Sequence, residues 1–116
     1  MKPVIFCVIT LCSLAIASRA AVATAPLNGC NSAGECRAEL AAVYTNGDNA
    51  FVVLQGHLLP AVCTSAAWGY YWKVPLATNA DRARYATLLS AYMAHEVVEV
   101  RALDAGCTVI ATNIGE

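Results

Sequence analysis

The chain has 116 residues, of which 59% are hydrophobic and only 13% charged. Much of the apolar excess sits at the start, where Lys2 precedes an uncharged apolar run from Val4 to Ala17 and small residues flank Arg19, the layout of a secretory signal peptide. Without that segment, five Arg and Lys side chains face eight Asp and Glu, a net charge of −3, which excludes the clustered basic surface that nucleic-acid binding requires.

The signal peptide is assigned to residues 1–20, with cleavage after Ala20 (Ser18-Arg19-Ala20) or as late as Ala23 (Ala21-Val22-Ala23). Its apolar run of about 14 residues falls short of the ~20 that cross a bilayer as a helix, and no later stretch is longer, so no membrane span is expected. A short N-terminal segment, 21–35, then leads into a single domain, 36–116. About 95 residues is an ordinary size for one core, and the predicted localisation is outside the cytoplasm, periplasmic or secreted.

Four cysteines remain after cleavage, Cys30, Cys36, Cys63 and Cys107. An even count in an exported chain points to disulfides, for which three pairings exist; the spacing favours Cys30 with Cys36 across Gly34, and Cys63 with Cys107. In the chain-entropy model, closing a loop of about 45 residues contributes about 4 kcal/mol and one of about seven contributes about 2.4 kcal/mol. Leu27-Asn28-Gly29-Cys30 loosely matches a lipoprotein box, but lipid on Cys30 would strand Cys36 as a lone thiol. No C-x-x-C pair accompanies His57 and His95, so neither a metal nor a cofactor is expected.

Along the domain, "CRAELAAVYT" alternates Ala38, Leu40, Ala42 and Tyr44 against Arg37, Glu39 and Thr45, the period of a first strand. "AFVVLQG" resumes after Asn46-Gly47, a pair that tolerates the positive φ of a hairpin turn. A loop through Leu58, Pro60 and Cys63 leads to a third strand, "AWGYYWKVP", stopped at Pro75. Thr78 with Asp81 three residues on opens the one helix; Tyr85, Leu88, Leu89, Tyr92 and Met93 then recur on one predicted core-facing stripe. "VVEVRAL" sets Val98, Val100 and Ala102 opposite Glu99 and Arg101, and "CTVIATNI" closes the chain. The predicted class is α+β and β-rich. Five strands with one helix between the third and fourth is the order of an OB-fold-like barrel, with a curled sheet as the alternative.

From Cys63 to Cys107, the residues Cys63, Trp72, Leu76, Thr78, Ala80, Ala83, Leu88-Leu89-Ser90-Ala91, Val98, Val100 and Cys107 form a pattern that resembles a family of small, exported, largely uncharacterised bacterial proteins. A more distant likeness is to the OB-fold binding subunits of subtilase-type bacterial toxins, which are pentamers that bind sialylated glycans. The first resemblance implies that Trp72 packs inward. Strand alternation then carries Trp68 and Tyr70 inward with it and leaves Tyr71 and Lys73 on the outer face, where a ring beside a cation makes these two the candidate ligand-binding residues.

Catalytic residues are not expected. None of Ser32, Ser65 and Ser90 lies in G-x-S-x-G, and "HEVVE" at 95–99 lacks the second histidine of the zinc motif. His95 reads instead as a complement to the helix C-terminus. The leading expectation is thus a non-enzymatic, disulfide-stabilised binding or interaction module whose partner is a glycan or a protein, with a homo-oligomer formed through an open edge as a further expectation. A glycan-binding subunit of a pentameric toxin is the alternative, and a small secreted hydrolase the third.

Overall fold

The computed structural model describes residues 24–114; the predicted signal peptide and both cleavage positions lie outside the described residues. In chain order the elements are β1 (Gly29–Cys30), β2 (Glu35–Asn46), β3 (Asn49–Leu54), β4 (Trp72–Pro75), α1 (Asn79–Ala94), β5 (Val97–Ala102) and β6 (Val109–Ile114). They form an α+β, strand-rich fold in which one antiparallel sheet runs β4-β3-β2-β5-β6, with β1 beside β2. Six strands are present where five are expected. The extra one, two residues long, is held by its ends rather than by propensity: Cys30 is bonded to Cys36, and the Asn28 N–H donates to Arg37 O at 2.6 Å.

The sheet is not closed. Its outermost strands, β4 and β6, approach at one parallel bridge, Lys73 to Thr108, where the Lys73 N–H donates to Cys107 O at 2.9 Å. The second disulfide, Cys63–Cys107, lies beside that contact. Both pairings are those that spacing favours, and the Cys30 sulfur is therefore not free to carry lipid.

β2 spans both halves of the sheet, pairing with β5 through Glu35–Glu39 and with β3 through Leu40–Asn46. The register shifts between Leu40 and Ala42. An inserted residue in a strand exchanges the two faces beyond it. Ala38 and Leu40 accordingly join the core, whereas past the shift it is Val43 that packs against the core and Tyr44 that faces out, so simple alternation, which groups Tyr44 with Ala38 and Leu40, breaks at the shift. β5 keeps simple alternation, with Val98, Val100 and Ala102 buried.

The core gathers around Trp72, which is fully buried among residues such as Val52, Leu54, Val74, Leu88 and Val100. Its indole N–H donates to Leu58 O at 3.0 Å, which also fixes the start of the long β3–β4 connection. A close backbone approach explains Gly34: its φ is +84°, and a Cβ there would overlap Ala102 O, whose residue donates its N–H back to Gly34 O at 3.0 Å.

α1 begins as expected. Thr78 Oγ1 accepts from the Asp81 N–H at 3.1 Å and Asp81 Oδ2 accepts from the Thr78 N–H at 3.2 Å, a reciprocal cap. At the other end, His95 takes a left-handed φ of 56° and Glu96 N–H closes on Ala91 O at 2.9 Å, so His95 terminates the helix through its backbone. The apolar stripe is rotated from expectation: Leu88 and Ala91 are buried and Tyr85 and Tyr92 pack on the core, while Leu89 and Met93 are exposed. At roughly 100° per residue, Met93 lies about 140° around the helix from Leu88, too far to share its contact.

Candidate functional site

The third strand is shorter than expected, and the reason defines the site. Instead of running from Ala67, the strand starts at Trp72, because Trp68 and Gly69 both adopt positive φ, 50° and 86°. Gly69, Tyr70 and Tyr71 amides fold back onto Ala66 and Ala67 carbonyls at 3.0 to 3.3 Å, and Ala67 bridges Tyr71. Two successive left-handed residues make a tight turn of hairpin type. Strand alternation does not extend through such a turn. Trp68 is therefore not inward with Trp72: it is 60% exposed on the outer face.

There it meets side chains from β2 and β3. Phe51, opposite Lys73 in the β3–β4 ladder, is nearly buried yet lies on the face away from Trp72. The Phe51 ring lies 5.6 Å from Tyr44, 5.4 Å from Trp68 and 6.4 Å from Tyr71. Trp68 is also 5.1 Å from Tyr71 and 5.8 Å from Tyr44, with its plane steeply inclined to Tyr71. At these distances edge and offset contacts are favourable. Tyr70 lies 5.0 Å from Tyr71 and stacks on His57 at 4.1 Å with an interplanar angle of 7°. Desolvation by its neighbours, aided by the Tyr71 phenol, holds the Tyr44 hydroxyl above its usual pKa.

A bulky residue at positive φ is a conformational outlier, and such outliers concentrate where a side chain must be presented in one orientation. Here Trp68, one such residue, is 60% exposed. The arrangement offers an apolar, π-faced surface on a buried phenylalanine foundation, able to stack a flat or C–H-lined ligand face.

Of the two predicted ligand residues, Tyr71 lies inside this cluster and Lys73 borders it, one strand step further along β4. Lys73 also lies within electrostatic reach of Asp104. That carboxylate accepts the Thr108 N–H and the Thr108 hydroxyl, each at 2.7 Å. The amide bond chiefly lowers the Asp104 pKa, against partial desolvation, with the hydroxyl and Lys73 adding to the lowering. A folded-state value below the unfolded ~3.9 stabilises the fold fully above about pH 4, and this contribution is lost as pH falls through the lowered value. Asp104→Asn is thus expected to flatten the acid limb of a plot of urea midpoint against pH and to leave its neutral-to-alkaline shape unchanged; an unaltered acid limb would show that the turn before β6 gains nothing from the charge.

Sequence reasoning missed Tyr44, Phe51, Trp68, Tyr70 and His57 as members of the site; Tyr70, expected inward with Trp72, lies instead in the turn, stacked on His57 and against Tyr71. The available signal was the pair Tyr44 and Phe51, which flank the Asn46-Gly47 turn at cross-strand spacing. Among the described residues no group of three or more His, Cys, Asp or Glu is placed to hold a metal, and no helix is long and apolar enough to cross a membrane. No protein-family model matches the chain, and neither a curated protein nor a solved structure matches it.

Proposed function

We propose that this chain is an exported, disulfide-stapled binding module that acts without catalysis, and that the outer aromatic face of β2, β3 and the Trp68 turn receives its ligand. The observation that carries the reading is Trp68 itself: 60% exposed, held at a φ of 50°, and braced edge-on by Phe51 and Tyr71. An unliganded protein gains little from holding an indole in solvent on strained backbone. A ligand stacked on the ring supplies the missing burial.

The OB-like architecture belongs to the same proposal. In its support, β2, β3, β4, α1, β5 and β6 follow the order of that fold, β2 is shared by both halves of the sheet, and the β4–β6 contact at Lys73–Thr108 lies where such a barrel would close. In OB-folds the face of the second and third strands, which correspond to β3 and β4 here and carry Phe51 and Lys73, is the one that binds oligosaccharides and oligonucleotides, and the net charge disfavours the latter.

Glycan binding is the ligand reading favoured by an exposed indole, since a pyranose presents a C–H face to it. Lys73 would add affinity only for an acidic sugar. A glycan array probed with the purified protein, followed by titration of the best hit, tests this. Trp68→Ala and Tyr71→Ala are each expected to cost about 2 kcal/mol, or about thirtyfold in Kd. Unchanged binding by both variants would remove the site, and a blank array would remove the glycan reading.

A further inference from the structure

We infer that β6 is a self-association edge through which a second copy of this chain extends the sheet across a two-fold axis centred on Thr112. The two outer strands of the sheet differ sharply in what they offer. β4 is four residues long, contains Pro75, which has no amide to donate, and its Lys73 amide is already engaged by Cys107. β6 is six residues long, Val-Ile-Ala-Thr-Asn-Ile, with no charge and no proline. Beyond the bridge from Lys73 to Thr108 just before its start, no strand among the described residues pairs with its outer side. Natural sheets guard such edges with lysine, proline or brevity; β4 carries all three guards and β6 only a bulge at its start, where the register against β5 shifts.

That contrast also selects the symmetry. A ring built head to tail would pair β4 of one copy with β6 of the next, which the guards on β4 oppose. Two β6 strands can pair with each other, antiparallel, and the contact is then closed and self-complementary.

Charge sets the register. On the outer face, Arg101 lies opposite Ala111 and Glu99 opposite Asn113, and further into the sheet Glu35 lies opposite Arg101 and Arg37 opposite Glu99. Centring the axis on Thr112 sets Ala111 against Asn113 of the second copy. Each row across the joined sheet then reads Glu35, Arg101, Ala111, followed by Asn113, Glu99 and Arg37 of the second copy, so opposite charges face across the seam. Centring on Ala111 would instead confront Arg101 with its own copy, and centring on Asn113 would confront Glu99 with its own. Like charges held in line three strand spacings apart, about 14 Å, repel at long range, a preference that salt screens. The small residues Ala111, Thr112 and Asn113 line an open depression of about 200 Å³ together with Glu35, Glu99 and Arg101; Glu99 Oε2 there accepts the Ala25 N–H at 3.4 Å, which anchors it beside the seam. Arg101 Nε meanwhile donates to Ala33 O at 3.1 Å, which steadies its stem.

Sedimentation of the exported, processed protein over a concentration series up to about 0.5 mM tests the inference. A monomer–dimer equilibrium is expected, weaker in high salt. Asn113→Lys places a cation opposite Glu99 of its own chain, which favours the fold, but in line with Arg101 of the second copy. Ala111→Glu does the converse, facing its own Arg101 and the second copy's Glu99. Because each change acts twice across a two-fold axis, each is expected to weaken the dimer about five- to tenfold, with the urea midpoint of the monomer not lowered. A monomer throughout, a ring of five, or a dimer indifferent to both charges would overturn the inference. All three outcomes are independent of whether the aromatic face binds a ligand.

Discussion

Trp72→Ala is expected to destabilise the protein by about 4 kcal/mol, whereas Trp68→Gly, in the same aromatic stretch, is expected to change stability by less than about 1 kcal/mol. Trp72 is fully buried, so truncation removes the largest side chain of the core, leaves a cavity, and deprives Leu58 O of the indole donor. In a domain whose total stability is about 5 to 15 kcal/mol, that loss approaches the unfolding threshold. Trp68→Gly loses ring contacts with Phe51, Tyr44 and Tyr71 but relieves a left-handed backbone that glycine adopts without cost, and the two effects roughly cancel. Urea unfolding followed by far-ultraviolet circular dichroism measures both. Because these are the only two tryptophans, fluorescence then separates them: with Trp68 gone, the remaining emission should be blue-shifted and shielded from acrylamide. Equal destabilisation by the two changes would mean that Trp68 is a core residue after all.

The second large effect is assigned to the Cys63–Cys107 bridge. Replacing both cysteines by alanine should cost about 4 kcal/mol by the chain-entropy model, against about 2.4 kcal/mol for Cys30 and Cys36, which close a much shorter loop. For a domain of this size, 4 kcal/mol is a fall in Tm of about 20 °C. The structure adds a consequence for the site. Cys63 lies within the connection that carries the Trp68 turn, and Cys107 O accepts the Lys73 amide where β4 meets β6. Loss of this bridge should therefore disturb Trp68 emission and ligand binding before global unfolding, while loss of Cys30–Cys36 should leave both intact. Scanning calorimetry of the two double variants, with Trp68 emission recorded alongside, checks the ranking; a larger effect from the short loop would reverse it.

Local chemistry is legible in the residues. The reciprocal Thr78–Asp81 cap, the alternation of Val98, Val100 and Ala102 and both disulfide pairings each depend on a few neighbouring positions or on cysteine parity, and the structure has all of them; the hairpin after Asn46 is present too, but it turns on Gly47 and Asp48, with Asn46 paired to Asn49 as the last strand residue and positive φ at Gly47. The helix is evident in the sequence but its contact stripe is not, because Leu89 and Met93 differ from Leu88 and Tyr92 only in angle, and which angle faces the sheet depends on how the helix lies across it.

The aromatic face cannot be read in the same way. Its central rings, Tyr44, Phe51, Trp68 and Tyr71, come together through two departures from regular strand geometry: the register shift after Leu40, which turns Tyr44 outward to meet Phe51, and the paired positive φ values at Trp68 and Gly69, which detach Trp68 from the inward path of Trp72. Alternation along a strand is a local rule and holds only while one residue succeeds another in extended backbone. A bulge or a left-handed turn resets it, and both are selected by how distant segments pair and pack. The sequence by itself therefore determined the class of fold, the staples and the aromatic content, while only the tertiary structure decided which rings are core and which are surface.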